Sequence, residues 1–257
     1  MEKTGRIINA EIDVDDEQVH NFFDNRVKKK LYHRYNLVNY QDNNPTLALE
    51  RDKQEKGKIT PLLNISGNMR ILDIGCGVGR WGDELVPYLV NGIYVGVDYS
   101  EHLIQVAQKA AEDNGSAEKR KYCVGSFQNL EKILSDQNVK SPFDLIIING
   151  VLMYINDCDL EQCLGILPEL LSETGRIYTK ESVGIYDRLT LKDIYSEELS
   201  SQYSAIYRSK KEYDNIFGKH FSNMIIISEG DTFDNNNLHN RKETTSYYWI
   251  FENNKNL

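Results

Sequence analysis

The sequence predicts an α/β protein: a mostly parallel seven-stranded sheet with helices on both faces, an antiparallel C-terminal hairpin and an N-terminal helical cap. Three observations carry that expectation. Short apolar runs alternate with helical patterns from Arg70 onward, a glycine-rich turn follows the first run, and the last two runs are joined by a polar loop without helical periodicity.

The elements follow in order. In "EQVHNFFDNRVKKKL", Val19, Phe22, Phe23, Val27 and Leu31 recur at helical spacing, which makes Lys28 to Lys30 the polar face of a first helix. A second helix runs through "TLALERDKQEKGKITPLL" after Pro45, so residues 1–57 read as a helical cap and 58–257 as the main domain. From Arg70 the order is strand "RILDIG", helix "RWGDELVPYL", strand "GIYVGVDY", helix "SEHLIQVAQKAAEDN" and strand "KYCVGSF". Strand "FDLIIING", helix "LEQCLGILPELL" and strand "GRIYTKES" continue the alternation. Residues 183–220 form a tyrosine-rich insertion, and "SNMIIISEG" with "TSYYWIFEN" makes the closing hairpin.

Composition limits the partners. Against 30 Lys and Arg the chain has 39 Asp and Glu, a formal charge of -9, which disfavours sequence-blind attraction to nucleic acid or anionic membranes. The N-terminal stretch "MEKTGRIINAEIDVDDEQ" lacks the apolar core of a signal peptide, and no run is long and apolar enough to span a bilayer, so the expectation is a soluble cytoplasmic protein. Cys76, Cys123, Cys158 and Cys163 form no CxxC pair, and the histidines, His239 among them, lack metal-ligand spacing. No metal is expected. Edge strands and the N-terminal helices leave a homodimer open.

The chemistry concentrates where the first strand turns into its helix, the usual ligand position in an open α/β sheet. Gly75, Gly77 and Gly79 let backbone approach a ligand, but the dinucleotide fingerprint would need glycine at Arg80. Asp73 beside that turn would repel a pyrophosphate and suits an ammonium group. A cofactor with an amino-acid zwitterion and a sulfonium fits better than a dinucleotide, which makes a nicotinamide-dependent oxidoreductase the alternative. Asp98, after the second strand, can accept both hydroxyls of a ribose in either cofactor.

Taken together, "LDIGCGVGRW", "VGVDYS", "GSF", "FDLIIINGVLMYI" and "LPELLSETGRIYTKES" resemble, in that order, the class I S-adenosylmethionine-dependent methyltransferases. The resemblance spans residues 58 to 182. It implies S-adenosyl-L-methionine as cofactor, with its methionine part along Asp73, Gly75 and the Gly77 turn, together with Cys76, Arg80 and Trp81. It further implies ribose on Asp98, adenine between Tyr99, Ser126 and Phe127, and the reactive sulfonium beside Asn149 and Gly150. Many members carry an acid at the Ser126 position; a serine accepts from the adenine amino group more weakly. "FFDNR", "YQDNNP", "ERDKQEKGKITPLL" and "YSAIYRSKKEY" are similar to bacterial small-molecule methyltransferases that modify sugars, capsule polysaccharide and natural products.

Methyl transfer from a sulfonium is an in-line displacement, so alignment and exclusion of water are the main demands. An alcohol acceptor also needs a base, for which Tyr154, Lys180 and Glu181 stand at strand ends. An anionic acceptor, such as a sugar phosphate or a capsular phosphoramidate, would instead call for arginines, and the insertion supplies Arg188 and Arg208. Tyr186, Tyr195, Tyr203, Tyr207 and Tyr213 in the same insertion can stack on a ring, Tyr203 and Tyr207 being assigned with the two arginines to the acceptor. No Pro-Pro-aromatic segment follows "INGVLMY", which argues against amino-group methylation of DNA. A non-catalytic scaffold that binds the cofactor without turning it over is the remaining alternative.

Overall fold

The computed structural model describes residues 4–40, 42–234, 238 and 241–254; Gln41 and His239 lie outside the described residues. The chain opens with strand β1 (Gly5–Ile8), then helix α1 (Asp16–Arg26), capped by Asp15, whose carboxylate accepts from Gln18 N at 2.9 Å. Helix α2 (Pro45–Leu63) starts on an Asn44 cap with proline in its first turn and stops at Asn64 in left-handed conformation. The alternating core follows as β2 (Arg70–Ile74), α3 (Arg80–Leu85), β3 (Ile93–Asp98), α4 (Glu101–Asp113), β4 (Arg120–Val124), α5 (Leu130–Asp136) and β5 (Phe143–Asn149). Helices α6 (Asp157–Gly165) and α7 (Leu167–Leu170) lead into β6 (Leu171–Gly184). Strands β7 (Leu189–Ser196) and β8 (Ser201–Tyr207), helix α8 (Lys210–His220) and the hairpin of β9 (Met224–Asp231) and β10 (Thr244–Asn253) complete the chain.

The large sheet has seven strands in the order β4-β3-β2-β5-β6-β10-β9. Strands β2 to β6 pair in parallel, whereas β10 runs antiparallel to both β6 and β9, as the apolar runs and the helix-free connection predicted. The sheet lies between two buried clusters. Leu72, Ile74, Val95, Ile146 and Ile148 face one, with Leu164 and Trp249; Ile71, Tyr94, Leu145 and Ile147 face the other, with Ile59, Trp81 and Leu85. Adjacent strand residues are thus fully covered on opposite sides, the physical reason these strands read as continuous apolar runs. Among the described residues no helix is long and apolar enough to cross a membrane.

The structure departs from the sequence expectation in two places and adds detail in the insertion. Helix α1 ends at Arg26, whose guanidinium turns inward to donate to the carbonyls of Leu37 and Asn36, so Lys28 and Lys29 fall in a turn. The tyrosine-rich insertion is regular: β7 and β8 form an antiparallel ribbon, and Ser209 with Glu212 makes a capping box for α8. The N-terminal segment is not wholly helical, because β1 pairs with β7 to give a three-stranded sheet in the order β1-β7-β8. Strand β1 and helix α1 are thereby joined to the insertion, α1 packing Val19, Phe22 and Phe23 into one cluster with Tyr203, Ala205 and Ile206 of β8, whereas α2 packs on a face of the large sheet.

Candidate active site

The carboxyl ends of the parallel strands open into one cavity of about 740 Å³, a volume suited to small ligands. The turn after β2 forms its floor. Gly75 and Gly77 have φ of +70° and +53°, and a Cβ at Gly75 would come within 2.3 Å of Val151 Cγ2. The turn is pinned from β3, since Gly75 N and Cys76 N both donate to the Val97 carbonyl, at 2.8 and 3.0 Å. Asp98 holds it as well, accepting from Gly77 N at 2.8 Å and Ser100 N at 2.9 Å. A carboxylate has four acceptor positions, so this one retains capacity for hydroxyl donors from the cavity. Burial pushes its pKa up to about 6.

Asp73 lies deeper, and the hydroxyl of Tyr94 donates to it. Burial pushes its carboxyl up to about 7. Tyr99 lines the cavity with its ring 4.8 Å from that of His20, and its buried hydroxyl has no partner among the described residues. An orphaned donor beside a glycine cradle and a half-engaged carboxylate fits a ligand with ribose and an aromatic base. Ser126 and Phe127 complete this end, and Cys76, Arg80, Trp81, Asn149 and Gly150 line the same cavity.

The opposite end is aromatic and hydroxylated. Tyr154 meets Tyr40 at 3.3 Å and Tyr203 at 3.0 Å through their hydroxyls, and Tyr203 meets Tyr207 at 3.2 Å. Phe23 packs edge-on against Tyr154, 5.2 Å between centroids. Burial drives the Tyr154 and Tyr203 hydroxyls well above their ordinary pKa, so both are neutral hydrogen-bonding groups at neutral pH. Two guanidiniums also line this region: Arg51, which donates to the Leu238 carbonyl, and Arg241, which pairs with Glu198 at 2.7 Å. Burial lowers the Arg51 pKa, and the like charge of Arg241 lowers it further.

Lys180 lines the cavity with its Nζ 4.0 Å from Glu55. Three other expected residues do not line it. Glu181 is fully buried, and its carboxylate accepts from the backbone N–H groups of Val151, Leu152 and Met153 at 3.0, 2.9 and 3.3 Å. Arg208, also fully buried, donates to the carbonyls of Leu152 and Ile155 at 2.8 and 2.7 Å and to Asp157. Arg188 pairs with Asp157 at 2.6 Å and Glu212 at 3.4 Å. The base expected in Glu181 and the acceptor contacts expected of Arg188 and Arg208 are corrected accordingly, because all three side chains are buried in the fold away from the cavity. Glu181 and Arg208 grip the 3₁₀ turn Leu152–Tyr154 from its donor and acceptor sides, which sets the position of Tyr154.

Sequence reasoning missed Glu55, Arg51 and Arg241. A signal for Glu55 exists in α2, where Ala48, Asp52, Glu55, Ile59 and Leu63 form one buried stripe at helical spacing. Two acids in a core-facing stripe need partners there. Glu55 finds the Asn149 amide, the Tyr178 hydroxyl at 2.9 Å and Arg80 at 3.3 Å.

Residues 65–255 match the family model described as a methyltransferase domain. Among curated proteins, the phosphoethanolamine N-methyltransferase of Triticum aestivum is 27% identical over 135 residues, covering 52% of this chain and 25% of that protein. The chain thus spans about a quarter of the length of the relatives of that name. Among solved structures, Haemonchus contortus phosphoethanolamine N-methyltransferase 1, in complex with phosphoethanolamine and S-adenosylhomocysteine, aligns with a TM-score of 0.67 at 16% identity, covering 92% of this chain and 48% of that one. Magnesium protoporphyrin IX methyltransferase from Synechocystis PCC 6803, with bound S-adenosylmethionine, aligns at 0.60 and 15% identity over 95% of this chain and all of that one (100%). These likenesses establish the fold. With the family match running over most of its length, the chain belongs to the methyltransferase-domain family.

Proposed function

We propose that this chain is an S-adenosylmethionine-dependent methyltransferase whose acceptor is a small molecule bearing an anionic group. The cradle of Gly75, Gly77, Asp98, Tyr99, Ser126 and Phe127 fits the adenosine of that cofactor, which supplies an electrophilic methyl group on sulfur. The observation that carries the acceptor class is the pairing of Arg51 and Arg241 with the tyrosine wall in one cavity. Two neighbouring guanidiniums suit a phosphate or carboxylate, and Tyr154, Tyr203 and Tyr207 offer ring faces and hydroxyls to the rest of the molecule. Phosphorylated sugars, phosphorylated amino alcohols and capsular phosphoramidate precursors share this chemistry; the second class is the one named for the plant and nematode relatives.

The chain's own part is to bind, align and exclude water. Tyr154, held neutral and fixed by the gripped turn beneath it, orients the acceptor through its hydroxyl. The first test is calorimetric titration with S-adenosylmethionine, S-adenosylhomocysteine and NAD⁺. The sulfur compounds are expected to bind; binding of NAD⁺ alone would overturn the reading. A mass-spectrometric screen of acceptors follows, each offered with and without its phosphate. Methylation that survives removal of the anion at unchanged KM would refute the acceptor class, and Arg241→Ala is expected to raise KM for the anionic form about 10-fold, the worth of one charge-assisted hydrogen bond.

A further inference from the structure

The matched family region begins at residue 65, yet a charged residue of the preceding helix α2 reaches the cavity. Glu55 is buried, lines the cavity with Gly75 and Asn149, and faces Lys180 across 4.0 Å. Its Oε1 is filled by the Asn149 amide and the Tyr178 hydroxyl; its Oε2 has Arg80 at 3.3 Å and a remaining lone pair. The ammonium of Lys180 makes no hydrogen bond within the described residues, and Arg80 is already committed to Asp52 and Glu55. Opposite charges thus sit side by side on the cavity wall, each with capacity left.

We infer that Glu55 and Lys180 together receive the two charges of the cofactor's amino-acid end, Glu55 the α-ammonium and Lys180 the α-carboxylate. The inference rests on the S-adenosylmethionine reading and deepens it. An α-amino acid carries its ammonium and carboxylate on one carbon, which matches two adjacent protein charges of opposite sign. Asp73, the carboxylate first expected to meet the ammonium, is engaged by Tyr94. Burial also leaves Asp73 partly protonated at neutral pH, with a pKa of about 7. Burial alone would raise the Glu55 carboxyl too, but Lys180 and Arg80 with Asn149 and Tyr178 outweigh it and hold it below its ordinary value. Helix α2, ahead of the matched family region, therefore completes the cofactor site.

The test compares S-adenosylhomocysteine with 5′-deoxy-5′-methylthioadenosine, which keeps adenosine and thioether sulfur but lacks the amino-acid charges. Both are titrated calorimetrically into the full-length wild type, Glu55→Gln and Lys180→Met. Each substitution is expected to weaken S-adenosylhomocysteine about 10- to 100-fold, the worth of a charge-assisted hydrogen bond, and to leave methylthioadenosine within about twofold. Parallel loss of both nucleosides, or unchanged S-adenosylhomocysteine affinity, overturns the inference. If Glu55→Gln does not fold, Lys180→Met decides by the same criterion. A wild type that binds neither nucleoside defeats the cofactor reading itself, which separates the two failures.

Discussion

At the residue scale, the candidate site is built on a few positions where backbone or charge is held away from its easy state. Gly75 combines a left-handed φ of +70° with a Cβ position 2.3 Å from Val151 Cγ2, so Gly75→Ala both strains the turn and displaces its neighbour. The expected cost is about 1–3 kcal/mol in denaturant unfolding, with loss of S-adenosylhomocysteine binding. The raised carboxyls give a pH signature of definite sign. Asp73 keeps its proton in the folded chain up to about 7, where the unfolded chain has released it from an ordinary value of 3.8. This group's contribution is present below the lower value and lost as pH rises through the upper one. Thermal melts of the ligand-free wild type and Asp73→Asn should therefore converge toward low pH, the wild type losing stability relative to the variant as pH rises to 7. A pH-independent difference would contradict the assigned protonation. On the proposed ribose contact, Asp98, raised to about 6 by burial, makes the matching prediction for binding: S-adenosylhomocysteine affinity rises as pH passes that value, because an ionised carboxylate is the better acceptor for hydroxyl donors.

At the element scale, the segment after β5 is held from both sides by buried charges. Its N–H groups go to Glu181 and its carbonyls to Arg208, so losing either leaves buried polar groups without partners. Arg208→Ala is expected to destabilise the protein by about 3–5 kcal/mol, read by denaturant unfolding. A residue that only bound an acceptor would raise KM and leave stability unchanged. Here lies the boundary of what was legible in the sequence. The parallel strands could be read because a strand buried on both faces is apolar at every position, and the glycine turn because its backbone requirements are local. An arginine's need for an anion is equally visible, but which anion is a matter of tertiary geometry; for Arg188 and Arg208 it is Asp157. Strand β1 escaped because "GRII" is four residues long and its partner lies at 189–192, beyond any local pattern. Glu55 was within reach, as an acid on the buried stripe of an amphipathic helix.

At the scale of the whole molecule, the cavity is floored by the parallel sheet and roofed by chain from both sides of it. Asp16, His20 and Phe23 of α1, Arg51 and Glu55 of α2, and Tyr203 and Tyr207 of β8 all line it. A ligand bound between floor and roof ties them together, so amide hydrogen exchange in α1 and α2 is expected to slow when S-adenosylhomocysteine is added, with little change in β9 at the sheet edge. Equal exchange with and without ligand would mean that the roof takes no part in binding. The three-stranded sheet has a consequence for how the protein is made. Gly5–Ile8 leaves the ribosome ahead of the central parallel strands, whereas its partner, Leu189–Ser196, emerges only after they have been synthesised. Gly5–Ile8 must therefore stay unpaired while those strands are made, so the tyrosine-lined side of the pocket cannot close before β7 and β8 emerge and is open to proteolysis in a nascent chain stalled ahead of them.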